Sequence, residues 1–336
     1  MSIVSRFLAY TDSRLWTCAG FICAARLEVT MRRDEKISQA EALTRREFIA
    51  GAVLLGAAGT ALHLEAALPV VGIDHVNIHV PDVQRSADFY IKLSGVEVSR
   101  APNAKAQTAN PAAPSGVLWF IRLGRSNLAI SPLPAGEGPG LDHFSFGITG
   151  FNGEAVKSQL AGLNQQWPDS PSNNLWLKDP VGRVIQLNAP GDPSRVPGAG
   201  VGAVLVEPVG GVTRQPAFQA TRITLLTMAV RQLEPSATYY RNLLGAQNEQ
   251  PQKGRFRVGE SEFVLGPASA GDYFRIGVAG FDPAAAVTKL KSLGVNANVT
   301  RDKSAVSFRD LDGIQVQIGG DSATTPSSQR IRIGAG

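Results

Sequence analysis

The second half of the sequence repeats the spacing of the first half, and this internal repeat constrains the fold more than any other feature. Tyr240 falls on Tyr90 within a helical segment that a glycine closes in both copies. Three pairs of segments correspond: residues 80–95 with 230–245, 142–151 with 272–281, and 179–187 with 310–318. Such a repeat predicts that the chain consists of copies of one supersecondary unit.

The first copy opens with a strand at residues 70–80 that alternates apolar and polar side chains, as a half-buried strand does. Its polar face holds His75, Asn77 and His79, whereas Asp74 shares the parity of the apolar residues. The same alternation returns at residues 141–148. A strand that points two imidazoles and an amide to one side of a sheet indicates a functional site.

Each unit has one helical pattern for about four strands, so the helix can cover one sheet face while the other face curves around a cavity. The sequence therefore predicts an α+β fold of tandem βαβββ units that form two domains with curved mixed sheets. The expected divisions are a leader at residues 1–66, a first domain at 67–190, a linker at 191–219 with a strand near 203–206, a second domain at 220–320, and a flexible tail at 321–336.

Composition excludes several classes of protein. The formal net charge is a mild +5, and no cluster of Lys and Arg is interleaved with aromatic residues, so we expect no nucleic-acid partner. The two cysteines, Cys18 and Cys23, both lie in the leader. A processed chain would therefore have neither a disulfide framework nor a thiolate metal site.

The leader contains Arg45-Arg46 followed by Phe48 and an uncharged, Gly/Ala-rich run at residues 50–62. This pattern resembles a twin-arginine export signal, which implies the twin-arginine translocase as a partner and a periplasmic or extracellular location. Cleavage would fall within residues 61–68, and an uncleaved leader would instead anchor the protein to the membrane. Met31 is an alternative start, in which case residues 1–30 do not belong to the natural product.

Motifs in the first half resemble those of a known family. They are Asp74-His75-Val76 leading into Pro81-Asp82, Leu141-Asp142-His143-Phe144, and residues 179–187. The chain here resembles the vicinal oxygen chelate superfamily, which includes glyoxalase I, extradiol ring-cleaving dioxygenases, epimerases, and fosfomycin and bleomycin resistance proteins. The resemblance spans about residues 70–320 and implies a fold that supports many reactions.

The resemblance also implies a divalent metal (Fe, Mn, Co, Ni or Zn), because metal-binding members take ligands from the first and last strands of each unit. The family's histidines fall on His75 and His143, and its last-strand acid falls on Gln186. The remaining position falls near Ala129, which cannot ligate. By parity, all three ligand candidates lie opposite apolar neighbours and can face one cavity. Glutamine keeps a carbonyl oxygen but removes the negative charge that a carboxylate would supply.

The corresponding positions in the second half are Leu225, Tyr273 and Gln317. Leucine cannot bind a metal, and tyrosine is a poor substitute for histidine. We therefore expect a degenerate second domain and a site in the first domain alone.

Four other residues are candidates for contact with a substrate. His79 lies about 13 Å along the strand from His75, too far to share a metal, so it is either a proton-transfer group or a residue of the rim. Asn77 could orient a substrate, and Arg122 could bind an anionic one. Trp119 could form a wall of the cavity.

The leading hypothesis is an exported, metal-dependent enzyme that acts on a small substrate with adjacent oxygens, by chemistry of the dioxygenase or the isomerase/lyase kind. The alternative is a metal-free protein that binds and sequesters a small molecule, as bleomycin-resistance proteins do. A purely structural exported module is a third possibility.

Overall fold

A computed structural model describes residues 68–95, 97–102, 116–161, 174–192, 194–206, 215–250 and 253–321. These residues all belong to one compact unit, residues 63–336. The twin-arginine motif lies outside the described residues. Asp321, which the sequence places in the tail, is buried, and its carboxylate accepts a 2.5 Å hydrogen bond from Arg222. The folded region therefore extends at least one residue beyond the predicted boundary.

The first sheet comprises β1 (Val70–Val80), β2 (Val98–Pro102), β3 (Val117–Leu123), β4 (Ser126–Pro132), β5 (Gly140–Ile148), β6 (Asn174–Lys178), β7 (Val184–Asn188) and β8 (Val204–Leu205). Their order across the sheet is β6-β7-β5-β1-β4-β3-β2-β8. The opening strands β1 and β5 pair antiparallel at the centre, and each pairs in parallel with the last strand of its own unit, β4 or β7. This topology makes the two histidine-bearing strands neighbours. Strand β8, inside the predicted linker, extends the sheet at β2.

The second sheet comprises β9 (Ala220–Val230), β10 (Arg255–Val258), β11 (Ser261–Pro267), β12 (Tyr273–Val278), β13 (Ala297–Val299), β14 (Ala305–Arg309) and β15 (Gln315–Gly320). Their order is β10-β11-β9-β12-β15-β14-β13. Strands β9 and β12 occupy the central positions that β1 and β5 occupy in the first sheet, with the same pairing directions. The duplicated α+β fold with two mixed sheets is therefore confirmed.

Four α-helices complete the units in the described ranges: α1 (Val83–Ser94), α2 (Gly153–Gln159), α3 (Leu233–Leu244) and α4 (Pro283–Ser292). Helix α1 begins where the sequence predicts, because the backbone N–H of Arg85 donates to the side chain of Asp82 over 3.0 Å. Asn152 and Asp282 cap α2 and α4 in the same way. None of the helices in these ranges is long and apolar enough to cross a lipid bilayer.

The two sheets share one hydrophobic core. Val76, Ile78 and Val80 on the apolar face of β1 are fully buried, and each such side chain contributes about 1.5–3 kcal/mol. The ring of Phe144 on β5 lies 5.5 Å from the ring of Phe263 on β11, measured between centroids. The apolar residues of both halves thus form a single cluster, so neither sheet buries its apolar face alone.

Hairpins also join the halves. Gly124, in the turn between β3 and β4, has a φ of +61°, and a Cβ there would lie 1.9 Å from the carbonyl oxygen of Thr221 on β9. Gly259, in the β10–β11 turn, meets Val71 on β1 in the same way. Only glycine fits at these positions, because both the backbone conformation and the close approach exclude a side chain.

Candidate metal centre

Two β-bulges in the β1–β5 ladder place an aspartate beside each candidate histidine. The ladder skips Asp74 just before His75, and it skips Asp142 just before His143. A bulge removes its extra residue from the strict alternation of a strand and re-aims the side chain. Asp74 therefore contacts His75, and its predicted place on the apolar face is wrong, because counting by parity assumes an unbroken ladder.

His75 and His143 meet on the polar face of the first sheet, which we call the histidine face. Their Nε2 atoms are 3.3 Å apart, and their rings are nearly perpendicular. His75 Nδ1 lies 2.7 Å from Asp74 Oδ2, and His143 Nδ1 lies 2.5 Å from Asp142 Oδ2. Each imidazole is thus oriented by its own carboxylate, and the two side chains remain about one-eighth exposed.

The two Nε2 atoms that face each other are both expected to be hydrogen-bond acceptors. An Nδ1–H that donates to a carboxylate makes Nε2 of a neutral imidazole an acceptor. Two such lone pairs at 3.3 Å repel each other unless a proton or a cation lies between them. Two ring nitrogens bound to one metal ion at about 2.1 Å lie about 3.0–3.4 Å apart at tetrahedral or octahedral angles. The spacing and the carboxylate–histidine pairs therefore fit a shared metal ion.

Burial favours the neutral form of His143. It is the largest influence on the pKa of His143 and lowers it below its usual value; the hydrogen bond and charge of Asp142 oppose this, and the neighbouring His75 and His79 add to it. Burial alone would raise the pKa of Asp142, but its hydrogen bond and charge interaction with His143 outweigh this, and the pKa falls to about 2. Asp142 is therefore ionised, and His143 is inclined to the unprotonated form that binds metals.

A polar network holds Asp74 in place. Its Oδ2 accepts a 3.0 Å hydrogen bond from the side-chain amide of Asn188, whose carbonyl accepts from Ser145 over 2.5 Å. Asp74 Oδ1 is buried and has no hydrogen-bond partner among the described residues. A Cβ at Gly191 would lie 3.1 Å from that oxygen, so the chain passes close over it. A carboxylate buried in this way gains stability from a positive charge nearby.

Gln186 lies on the same face as the two histidines. It is buried and pairs with Ser145 on β5, which in turn pairs with His75 on β1. On the neighbouring strand β6, Gln186 pairs with Trp176. The Trp176 ring contacts the ring of His143 edge-on, with 4.9 Å between centroids. In the described ranges no three His, Cys, Asp or Glu side chains are grouped for a metal. The role of Gln186 as a third ligand stays a prediction.

Asn77 serves the site indirectly. Its side-chain N–H groups donate to Asp142 Oδ2 over 2.8 Å and to the Ser131 hydroxyl over 2.9 Å. Because both contacts are internal, the amide positions Asp142, and this differs from the substrate contact that the sequence suggested.

His79 lies at the edge of the site. Its Nε2 is 3.6 Å from Asp142 Oδ1, and its Nδ1 is 3.7 Å from Glu137, whose side chain is 60% exposed. The structure brings His79 to the carboxylate that orients His143, and that carboxylate is itself partly exposed.

The structure separates the two remaining candidates. Trp119 pairs with Ile130 on the apolar side of the sheet and is buried in the core, so it lies on the face opposite to His75. Its predicted place in the cavity wall is therefore corrected. Arg122 shares the histidine face through its pairing with Asn127, and its guanidinium makes two 3.1 Å hydrogen bonds to Glu97. Its contact with a substrate stays a prediction. Trp176 takes the place of Trp119 as an aromatic wall.

The contact of each aspartate with its histidine could have been predicted from a repeated dipeptide. The dipeptide Asp-His occurs at both opening strands of the first half, at residues 74–75 and 142–143. A histidine ligand commonly donates its second ring nitrogen to a carboxylate, so a repeated Asp-His pair predicts an oriented ligand pair.

The second sheet has the same framework without the imidazoles. Leu225 pairs with Arg275, and Tyr273 pairs with Thr227, in the registers that His75 and His143 occupy in the first sheet. Gln317 pairs with Arg275 and accepts a 3.0 Å hydrogen bond from its Nε. The equivalent positions hold no pair of nitrogen ligands.

Solved structures with this fold include metal-handling and oxygen-handling enzymes. The chain is similar to the 2,3-dioxygenase LapB from Pseudomonas sp. KL28, with a TM-score of 0.50, 13% identity, and coverage of 76% of this chain and 94% of that one. It is similar to a variant of 4-hydroxymandelate synthase from Streptomyces coelicolor, with a TM-score of 0.51, 13% identity, and coverage of 75% and 94%. It is also similar to the Mn(II)-bound glyoxalase from Novosphingobium aromaticivorans, with a TM-score of 0.51, 9% identity, and coverage of 76% and 83%.

At these identities the likeness shows the fold alone, which this chain shares with the three enzymes just named. No protein-family model matches the sequence, and no curated protein matches it.

Proposed function

We propose that the protein is a divalent-metal-dependent enzyme that acts on a small molecule with adjacent oxygens, with His75, His143 and Gln186 as metal ligands. One observation supports this above all: two imidazole Nε2 atoms lie 3.3 Å apart while both Nδ1 atoms contact carboxylates. The fold, which is also that of a Mn(II)-bound glyoxalase, agrees with it.

When bound, the ion would act as a Lewis acid toward the two substrate oxygens. Asp74 and Asp142 hold the imidazoles in the tautomer that offers Nε2. Trp176 and the buried sheet limit the access of water on one side of His143. His79 lies where it can accept or donate a proton at the outer side of Asp142. Gln186 adds an oxygen without charge, so the site is more positive than one with a carboxylate and suits an anionic, chelating substrate.

Metal binding to the purified full chain tests the proposal. Isothermal titration with Fe(II), Mn(II) and Zn(II) should show one site, and His75→Ala and His143→Ala should each abolish it. Tyr273→Phe is the matched control, because Tyr273 occupies the position of His143 in the second sheet, and it should leave binding unchanged.

Wild-type protein that binds none of these ions would overturn the metal proposal and favour the metal-free binding protein as the alternative. Binding that survives both histidine substitutions would also overturn it. If one site is found, turnover of catechol by the Fe(II)-loaded protein distinguishes ring-cleaving from isomerase or lyase chemistry.

We also propose that the protein is exported through the twin-arginine route, on the basis of Arg45-Arg46 and the apolar run that follows. Replacing both arginines with lysine should retain the protein in the cytoplasm, as measured by cell fractionation. Export that is unaffected by this change would exclude the route.

A further inference from the structure

The second sheet has a polar face of its own, equivalent to the histidine face, and its chemistry differs. It consists of Leu225, Thr227, Tyr273, Arg275 and Gln317, which the strand registers place on one side. At the position of Ser145 in the first sheet, between the equivalents of the two imidazoles, this face has the guanidinium of Arg275. The registers place Arg255, Arg257 and Arg309 on the same face, nearer its edges.

Arg275 has unused hydrogen-bonding capacity. Its Nε donates to Gln317, and neither of its terminal nitrogens has a hydrogen-bond partner among the described residues. Two carboxylates, Asp302 and Glu262, act on Arg275 through their charges, and both have other hydrogen-bond partners. Glu262 accepts a 2.6 Å bond from Arg255, and Asp302 accepts from Thr300 and Ser304 within its own turn. Burial, the largest influence, lowers the pKa of Arg275, as expected for a cation without a full counter-charge.

The surrounding residues make room for this side chain. A Cβ at Gly319 would lie 2.8 Å from Arg275 Cδ, so the absence of a side chain there leaves room for the arginine in its present position. The corresponding residue of the first sheet is Asn188, part of the Asp74 network. The second sheet has thus replaced that network with a guanidinium.

A second polar group on this face is also unpartnered. The Thr227 side chain is 3% exposed, and its hydroxyl has no hydrogen-bond partner among the described residues. A cavity of about 630 Å³ opens at the end of the same face and includes Asn298, Ser307, Arg309 and Gln315 in its lining. The cavity lies over the outer strands of this face, and Thr227 is two strands away from its nearest lining strand. A buried, unsatisfied hydroxyl gains a hydrogen bond from a ligand that reaches it.

We propose that the polar face of the second sheet binds a small organic carboxylate, with the terminal nitrogens of Arg275 as the anchor and Thr227 as a second donor. A guanidinium presents parallel N–H groups that match the two oxygens of a carboxylate. The site needs no metal and is separate from the histidine face.

Benzoate is a suitable probe, and benzamide is its neutral counterpart. Both are titrated into the full-length His75→Ala/His143→Ala protein, in which a metal cannot hold the carboxylate, with binding followed by calorimetry. Benzoate should bind saturably and benzamide should not. Arg275→Gln should weaken benzoate binding about 10- to 100-fold, Arg275→Lys should weaken it less, and Arg125→Gln, at a 74% exposed arginine, should not change it.

Thermal unfolding of each variant establishes that it is folded. If Arg275→Gln does not fold, Arg275→Lys tests the proposal in its place. Equal binding of benzoate and benzamide, no saturable binding of benzoate, or benzoate binding that is unchanged in both Arg275 variants would overturn the proposal. None of these results depends on whether the first sheet binds a metal.

Discussion

The hydroxyl of Tyr90 on α1 donates a 2.7 Å hydrogen bond to Asp310 in the β14–β15 turn of the opposite half. The repeat produces the reciprocal bond: Tyr240 on α3 donates to Asp179 in the β6–β7 turn over 3.0 Å. Both aspartates use their other oxygen to accept backbone N–H groups of their own turns. Each helix is thereby fixed to a turn of the other half, in addition to the shared core.

Removing the Tyr90 hydroxyl should destabilise the protein. Tyr90→Phe leaves the Oδ2 atom of Asp310 without its donor, which costs about 1.5–3 kcal/mol, and Tyr240→Phe should cost about the same. Tyr239→Phe is the matched control, since the Tyr239 hydroxyl is buried without a partner among the described residues and its removal should cost little. Urea unfolding measures all three, and equal losses for Tyr239 and Tyr240 would contradict the assignment.

Stability should fall in alkaline solution. Burial, and then the charges of Asp310 and Asp179, raise the pKa values of Tyr90 and Tyr240 well above that of free tyrosine. A tyrosine whose pKa is higher in the folded than in the unfolded protein stabilises the fold. This contribution is complete at pH values below the pKa in the unfolded protein, which is about 10. That contribution is lost as the pH rises further. The free energy of unfolding should drop less steeply above that pH in Tyr90→Phe/Tyr240→Phe than in the wild type, and parallel slopes would refute the effect.

The aspartates beside the histidines should control metal affinity. Asp74→Asn and Asp142→Asn should each reduce the affinity for Zn(II) about 10- to 100-fold, because the amide no longer fixes the tautomer of its imidazole or strengthens it as a ligand. Competition with a chromophoric chelator measures the change. Glu137→Gln serves as the control, since the exposed side chain of Glu137 lies near His79 and not near the two candidate ligands. Unchanged affinity in both aspartate variants would exclude their role.

A negative charge at Gln186 should strengthen metal binding. Gln186→Glu places a carboxylate on the histidine face and should raise the affinity for divalent ions at least about tenfold. Gln317→Glu provides the matched control in the second sheet, where the new carboxylate would pair with Arg275 and create no metal site. If Gln186→Glu does not increase affinity in a titration, Gln186 is not at the metal.

The repeat and the alternation of residues were enough to predict the duplicated sheets and the shared face of His75 and His143, because both follow from periodicity along the chain. That the two histidines belong to one site was implied by the family resemblance. Asp74 was misplaced because a bulge depends on a neighbouring strand and leaves no periodic trace. Trp119 and Arg122 were assigned to substrate because their residue types allow it. Their faces and partners depend on tertiary pairing with Ile130 and Glu97.

The common core explains why a half without imidazoles persists in the molecule. Phe263 of the second sheet packs against Phe144, and the hairpin glycines of each half contact the central strand of the other. Deletion of the second half would therefore expose the scaffold of the histidine pair to solvent. Its polar face is not part of this shared core, so we expect substitutions there to leave the scaffold of the histidine pair intact.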